Sequence, residues 1–244
     1  MASVFKAFSN GISLTWNRFG SFALVGLLFF ISLIVMYAPD IALLFVDDTA
    51  LEIVLSILSL LVMIPAGIAL ACLMVWTLSI SLTHLRDSQV PFTFAKAGWV
   101  ILFLLLVSAA GFIAGAIIAI VAMISALIVG MLMYTGNLLV LFVIGLLSSV
   151  LLIGFVVAYL YFYLRLTGFV SPLIADEGLN PFAAIGTSWK LSHGRVIKLF
   201  GLMVMMGLLN AFGFLMFGVG LVFTMPASYS ILADFYEQVR LEKV

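Results

Sequence analysis

Positive charge is missing from most of this chain. Its ten Lys and Arg residues leave three long stretches without a basic residue, 19–85, 97–164 and 199–239, and a shorter mixed one, 166–189. Soluble domains are about 45–50% apolar and about 25% charged, whereas this chain is 66% apolar and 8% charged, with a mean hydropathy of +1.39. The composition excludes a soluble globular protein and is typical of an integral membrane protein.

Residues that carry chemistry are also scarce. A single cysteine, Cys72, excludes an intramolecular disulfide, and His84 and His193 lie too far apart in the sequence to suggest a metal site. The chain has no HExxH, GxSxG, phosphate-binding or dinucleotide-binding motif. Its formal net charge of zero gives no reason to expect nucleic-acid binding. We therefore expect a non-enzymatic protein without catalytic residues, cofactor or metal.

No predicted membrane span has an ionisable residue near its centre, which argues against proton-coupled transport. Their polar residues, such as Ser125, Ser148 and Ser149, are expected to hold helices together. Gly111 and Gly115 form a motif for close helix packing.

The spacing of the basic residues predicts six transmembrane helices. A spanning helix needs about 20 apolar residues, and the apolar stretches accommodate spans near 19–39, 51–81, 99–131 and 138–163, followed by two in 199–233. Turns are expected at 134–137, which contains Gly136 and Asn137, and at 217–220, which contains two glycines. A re-entrant hairpin is the alternative for the last pair. Because short cytoplasmic loops are rich in Lys and Arg, we expect both termini in the cytoplasm, with 47–52 and Asn137 outside.

Three similar segments precede the odd-numbered spans. They begin near Phe5, Phe92 and Phe182, and each has further apolar residues three and seven positions later, on one helix face. The pattern predicts interfacial amphipathic helices near 3–17, 91–98 and 181–192. The whole chain, 1–244, is then one transmembrane domain of three parallel hairpin repeats. Their approximate bounds are 3–82, 90–165 and 181–237.

The segment from Arg165 to Tyr236 carries a resemblance. It contains Arg165, Pro172, Glu177-Gly178, Pro181, Ala184, Ser188 and Gly194, followed by Gly218, Gly220, Pro226 and Tyr236. In this order and spacing the residues resemble the YciC-like membrane proteins and the membrane domain of some glycerophosphodiester phosphodiesterases. The resemblance implies a bacterial or archaeal protein of the inner membrane and brings no settled activity with it.

The loop from Arg165 to Gly194 is the candidate structural site. Its prolines, Pro172 and Pro181, predict extended conformations for the residues before them, and Gly178 allows a turn. Asn180 or Ser171 is expected to cap a following helix. Asp176 or Glu177 is expected to approach a basic group, with Arg165 as the first choice. The alternative for Arg165 is contact with lipid phosphates. Ser188 completes the candidate set.

Two functions remain open at this point. The first is a structural or scaffold protein, or a subunit of a membrane assembly, with membrane lipids and other membrane-protein subunits as partners. The second is a passive or lipid-handling transporter with a cavity along a pseudo-threefold axis.

Overall fold

The computed structural model describes residues 2–46, 49–133, 138–216 and 218–242. Within these ranges the chain is helical and contains no strand, which confirms the all-α prediction. In chain order the helices are α1 (Val4–Asn17), α2 (Phe19–Leu43), α3 (Thr49–Arg86), α4 (Phe94–Met133), α5 (Leu138–Thr167), α6 (Val170–Glu177), α7 (Pro181–Leu191), α8 (Val196–Leu215) and α9 (Leu221–Leu241). The turn expected at 134–137, and Asp47, Asp48 and Phe217, lie outside the described residues.

Five of the described helices are long and apolar enough to cross a membrane, so six spans are not confirmed. They are α2, α3, α4, α5 and α8. The sixth expected span, α9, differs because its second half carries Asp234, Glu237 and Arg240. Most of α9 from Thr224 to Val239 is buried against α1, α2, α3 and α8. The structure therefore makes α9 the central core helix of the part of the chain that it describes.

The buried core lies at one end of the molecule, which we call the basic end because it carries Arg86, Lys96 and Arg165. Its largest buried side chains include Leu78 of α3, Phe169 and Leu173 beside and within α6, Leu199 of α8, and Tyr236 of α9. Burial of this apolar surface stabilises the arrangement of these helices.

The other ends of α3, α4 and α5 form almost no core. Among the side chains that the structure describes, none is buried between 104 and 163, or between 49 and 65. With 38 and 40 residues, α3 and α4 are about 57 and 60 Å long, against about 30 Å of bilayer hydrocarbon. We call 49–65 and 104–163 the outer segments; their exposed apolar side chains need lipid or protein neighbours.

Helix α1 packs lengthwise on α9 and runs antiparallel to it. The amide of Ser3 donates to Gln238 Oε1 at 2.9 Å, and Thr15 Oγ1 donates to Ser230 Oγ at 3.2 Å. Between these contacts, a Cβ added to Gly11 would lie 2.6 Å from the Ile231 Cα. The predicted helix at 3–17 is confirmed, and a stripe of small residues on α1 brings it close to α9.

The close-packing glycines differ from the predicted pair. A Cβ added to Gly115 meets nothing within 4 Å, and one at Gly111 meets only the Tyr159 hydroxyl at 3.9 Å. In contrast, a Cβ added to Gly26 of α2 would overlap the Val222 carbonyl oxygen. Gly111 and Gly115 therefore make no close helix contact within the described chain, because their spacing alone does not determine which face meets a neighbour.

The three predicted amphipathic helices have different outcomes. The third is confirmed as α7, with Pro181 as its first residue and with Asn180 Oδ1 accepting a 2.9 Å hydrogen bond from Ala183 N. The second is wrong as a separate helix, because helix begins only at Phe94 and continues without a break to Met133. No proline interrupts that stretch. The threefold repeat is not confirmed.

The hairpin of α8 and α9 is shorter than its neighbours. Its connection contains Gly218, whose φ of 77° is the left-handed conformation that glycine adopts readily. A Cβ added there would lie 3.1 Å from a ring carbon of Phe30. Phe30 precedes the last residue of α2, Leu43, by 13 positions, or about 20 Å of helix. The hairpin therefore ends well short of the far end of α2.

Candidate functional site

The candidate site is a polar junction at the basic end, and α6 places its central carboxylate there. This helix ends at Gly178, which has a φ of 67° and donates its N–H to the Ile174 carbonyl at 3.0 Å. The Nζ of Lys96, at the start of α4, donates to the Ala175 carbonyl at 2.7 Å and contacts the Asp176 carbonyl at 3.4 Å. A cation at these free carbonyls stabilises the helix end.

The Asp176 side chain joins three helices. Arg86, at the end of α3, donates Nη1 to Oδ1 at 2.6 Å and Nη2 to Oδ2 at 3.0 Å, which is the two-pronged geometry of a strong arginine–carboxylate pair. From α9, the Tyr236 hydroxyl donates to Oδ2 at 2.9 Å. The Asp176 side chain is only 8% exposed.

Glu237 completes what we call the acid–arginine cluster: Arg86, Asp176, Tyr236, Glu237 and Arg240. Arg86 Nε donates to Glu237 Oε2 at 2.7 Å, and its Nη2 also contacts this oxygen. Arg240 Nη1 lies 3.5 Å from Asp176 Oδ2. Burial and the nearby Asp176 carboxylate raise the pKa of the Tyr236 phenol, so this hydroxyl remains a donor. The cluster holds α3, α6 and α9 in fixed relation.

A second polar group surrounds Arg165 at the end of α5. Its guanidinium carbon lies 3.6 Å from the centre of the Trp189 ring, a cation–π contact. The side chain donates to the Trp189 carbonyl at 3.1 Å and to the Tyr161 hydroxyl at 3.2 Å, and it lies 3.4 Å from His193 Nδ1. We call Arg165, Tyr161, Trp189 and His193 the Arg165 site.

Serines of α7 bind the chain where α5 ends and α6 begins. The hydroxyl of Ser188 donates to the Arg165 carbonyl at 3.2 Å, and the hydroxyl of Ser192, which donates to the Ser188 carbonyl at 2.7 Å, lies 3.2 Å from the same Arg165 carbonyl. Ser188 Oγ also accepts a 3.1 Å hydrogen bond from Phe169 N. These bonds satisfy backbone groups that lose their helical partners at the break.

The predicted site residues are only partly brought together. Asp176 does approach a basic group, but that group is Arg86, so the first choice of Arg165 is wrong. Arg165 instead contacts the rings of Tyr161 in α5 and Trp189 in α7, and it donates to the Trp189 carbonyl. The adjacent acid, Glu177, is exposed at the end of α6.

The remaining loop residues have local roles. Gly178 makes the predicted turn, and Gly194 has a φ of 71° between α7 and α8. Pro172 is the third residue of α6, so the extended conformation predicted for Ser171, and its role as a cap, are wrong. Proline is tolerated there because the first turn of a helix has no intrahelical partner for its N–H groups.

Arg86, Lys96 and Glu237 were missed as partners. In the sequence, Arg86 and Lys96 only mark the side of the membrane on which basic residues lie. No local signal separates Arg86 from Arg165 as the partner, because each lies in the last turn of a long apolar helix. Glu237 lies on the charged half of α9, which itself indicates a helix that is not a simple span.

A polar seam also joins α1 to α9. Asn10 Nδ2 donates to Asp234 Oδ1 at 3.2 Å, and Gln238 Nε2 donates to Asp234 Oδ2 at 2.5 Å. Burial raises the pKa of the Asp234 carboxyl, although both hydrogen bonds act to lower it. The acid–arginine cluster, the Arg165 site and this seam therefore all bind helices to each other.

Among the described residues, no group of three or more His, Cys, Asp or Glu side chains is placed to hold a metal ion. No family model matches the chain, and the comparisons with curated proteins and with solved structures find no match. The resemblance to the YciC-like proteins therefore stays a prediction.

Proposed function

We propose that this protein is a non-enzymatic structural subunit of an assembly in a prokaryotic inner membrane. The observation that carries the proposal is the exposure of the outer segments. Phe112 of α4 and Leu151 of α5 are 79% and 72% exposed, and no described side chain between 104 and 163 is buried. Helices of one folded bundle normally bury one face against each other, so these faces are available for helices of another protein.

The polar groups at the basic end support the same proposal. Both oxygens of Asp176 are engaged by Arg86, and one of them also by Tyr236. A catalytic acid or base needs access to a substrate in a cleft, whereas this carboxylate is enclosed between α3, α6 and α9. A structural role for the cluster follows, with the basic end as a support for the outer segments.

Orientation comes from the positive charges. Arg86, Lys96 and Arg165 lie at the same end of the helices, and short loops rich in Lys and Arg stay in the cytoplasm. We therefore place the basic end, and with it both termini, on the cytoplasmic side. Membrane lipids cover the apolar surfaces that partner helices leave free.

A lipid-handling transporter is the less favoured alternative. It requires a cavity along an axis shared by three hairpins. A cleft in the described part of the chain lies inside one hairpin, between α4 and α5, and not on such an axis. A cleft in that position gives a ligand no route across the membrane through the centre of the protein.

Site-specific photo-crosslinking in native membranes tests the proposal. A photoreactive amino acid at Phe112 or Leu151 is expected to give a protein adduct of one defined mass. The same probe at exposed Glu177, on the basic end, is the control and should give no adduct of that mass. If the probes at both outer positions react with lipid alone, the outer segments have no protein partner and the assembly proposal fails.

A further inference from the structure

A cleft between α4 and α5 opens towards the apolar surroundings of the helices. Its volume is about 290 Å³, near the lower end of the roughly 300–1,000 Å³ typical of small-molecule sites. Phe103, Val107 and Ala110 line it on α4, Tyr159 and Tyr163 line it on α5, and Ile185 of α7 also lines it. Almost all of its wall is apolar, so it fits a hydrocarbon chain better than a polar solute.

The Arg165 site adjoins this cleft through a shared wall. Phe162 lines the cleft, and its ring stacks on that of Trp189 with 6.0 Å between centroids. Trp189 in turn lies against the Arg165 guanidinium. The charge of Arg165 and the apolar space are therefore neighbours on one side of the protein.

Arg165 is a buried cation without a counter-ion in the described part of the chain. The residue is only 8% exposed, and no described carboxylate lies within salt-bridge distance of it, whereas Asp176, Glu237 and Glu242 pair with other arginines. Its Nε has no hydrogen-bond partner. Of the five N–H groups of a guanidinium, acceptors at Tyr161, Trp189 and His193 use at most three. An uncompensated charge of this kind favours an anionic ligand.

Neighbouring residues make this place suitable for a phosphate. His193 is exposed beside Arg165, and Lys190 is exposed in the last turn of α7. Arginine binds phosphate through well-directed hydrogen bonds, and basic pockets between membrane helices on the cytoplasmic side bind anionic lipid head groups.

We propose that the cleft and the Arg165 site together bind one anionic phospholipid. One acyl chain lies between α4 and α5, and the phosphate lies at Arg165 and His193. The occupant is a membrane lipid and not a soluble anion because the apolar space lies between two helices that are long and apolar enough to cross a bilayer. The cleft shares residues with the outer segments, but lipid binding is tested in vesicles that contain no partner protein, so either proposal can fail alone.

Fluorescence quenching of Trp189 tests this proposal. A variant that keeps Trp189 and replaces Trp16, Trp76 and Trp99 by Phe is reconstituted in phosphatidylcholine vesicles. Increasing amounts of lipid with brominated chains are then included, either phosphatidylglycerol or phosphatidylcholine. Because a basic residue attracts an anionic lipid by about 1 kcal/mol, half-maximal quenching is expected at an about fivefold lower fraction of the brominated phosphatidylglycerol. Equal quenching by the two lipids would overturn the proposal.

Two substitutions in this background separate the head group from the chain. Arg165→Gln should abolish the preference for phosphatidylglycerol, and a preference that persists would show that Arg165 does not bind the phosphate. Ala110→Phe fills the cleft and should reduce quenching by both lipids. Ala109→Phe, exposed on the same helix and outside the cleft, is the matched control and should behave like the parent. Unchanged quenching in the Ala110→Phe variant would overturn the placement of the chain.

Discussion

Replacing Asp176 by Asn should strongly destabilise the basic end. The amide removes the charge that Arg86 binds through two nitrogen atoms, and its NH₂ group faces donors from Arg86 or Tyr236. Removing one partner of a buried ion pair costs roughly 3–5 kcal/mol. Since Glu237 still binds Arg86 and the Arg86 side chain is 15% exposed, we expect the lower end of this range, about 3 kcal/mol.

This loss can be measured as a change in melting temperature. For a chain of 150–250 residues, 1 kcal/mol corresponds to about 2–4 °C, so Asp176→Asn should melt about 6–12 °C below the parent. Thermal unfolding of the detergent-solubilised protein, followed by tryptophan fluorescence, gives this value. Glu177→Gln makes the same charge change one residue away at an exposed position and should alter stability by only about 0.5 kcal/mol. If both variants melt at the same temperature, the acid–arginine cluster does not hold the helices together.

Three further results are expected. Gly11→Ala should disrupt the contact between α1 and α9 and lower the melting temperature, because the new Cβ would lie 2.6 Å from the Ile231 Cα. The control, Gly20→Ala, adds a Cβ that meets nothing within 4 Å and should be neutral or stabilising. Equal melting temperatures for the two variants would contradict the close packing of α1 on α9. Burial raises the pKa of Asp234 above its ordinary value of 3.8, so over this pH range the native state keeps a proton that the unfolded chain has released. The free energy of unfolding should therefore fall as the pH rises from 3.8 through the raised pKa. Asp234→Asn should lack this pH dependence, and pH profiles of stability that superimpose for the parent and the variant would refute the prediction. In a background with Cys72 replaced by Ala, a membrane-impermeant maleimide added outside should label Phe45→Cys and not Val219→Cys, because the α8–α9 hairpin ends short of the outer membrane surface. Labelling of both variants would indicate that α8 and α9 form a full pair of spans.

Structural features that are set within a single helix or turn were predictable from the sequence. The long uncharged stretches predicted α2 to α5, and Asn180 with Pro181 predicted the start of α7. Gly178 predicted the turn after α6. In each case the cause is local, because hydropathy, capping and backbone freedom act within a few residues.

Features that depend on neighbours were not predictable in the same way. Asp176 pairs with Arg86 across 90 positions of sequence, and nothing in the local pattern distinguishes Arg86 from Arg165 as the partner. Gly11 and Gly26 meet α9 closely, whereas Gly111 and Gly115, with the better-known spacing, do not. Tertiary packing determines which helix faces meet, and therefore which glycines lie at close contacts and which charged residues pair.

A cryo-electron microscopy map of the protein extracted from its native membrane, with surrounding lipid retained, tests the proposed function most directly. The account predicts density for helices of another subunit against the outer segments of α4 and α5, on the faces that carry Phe112 and Leu151. A map in which those faces are covered by lipid alone, around a single chain, would contradict it.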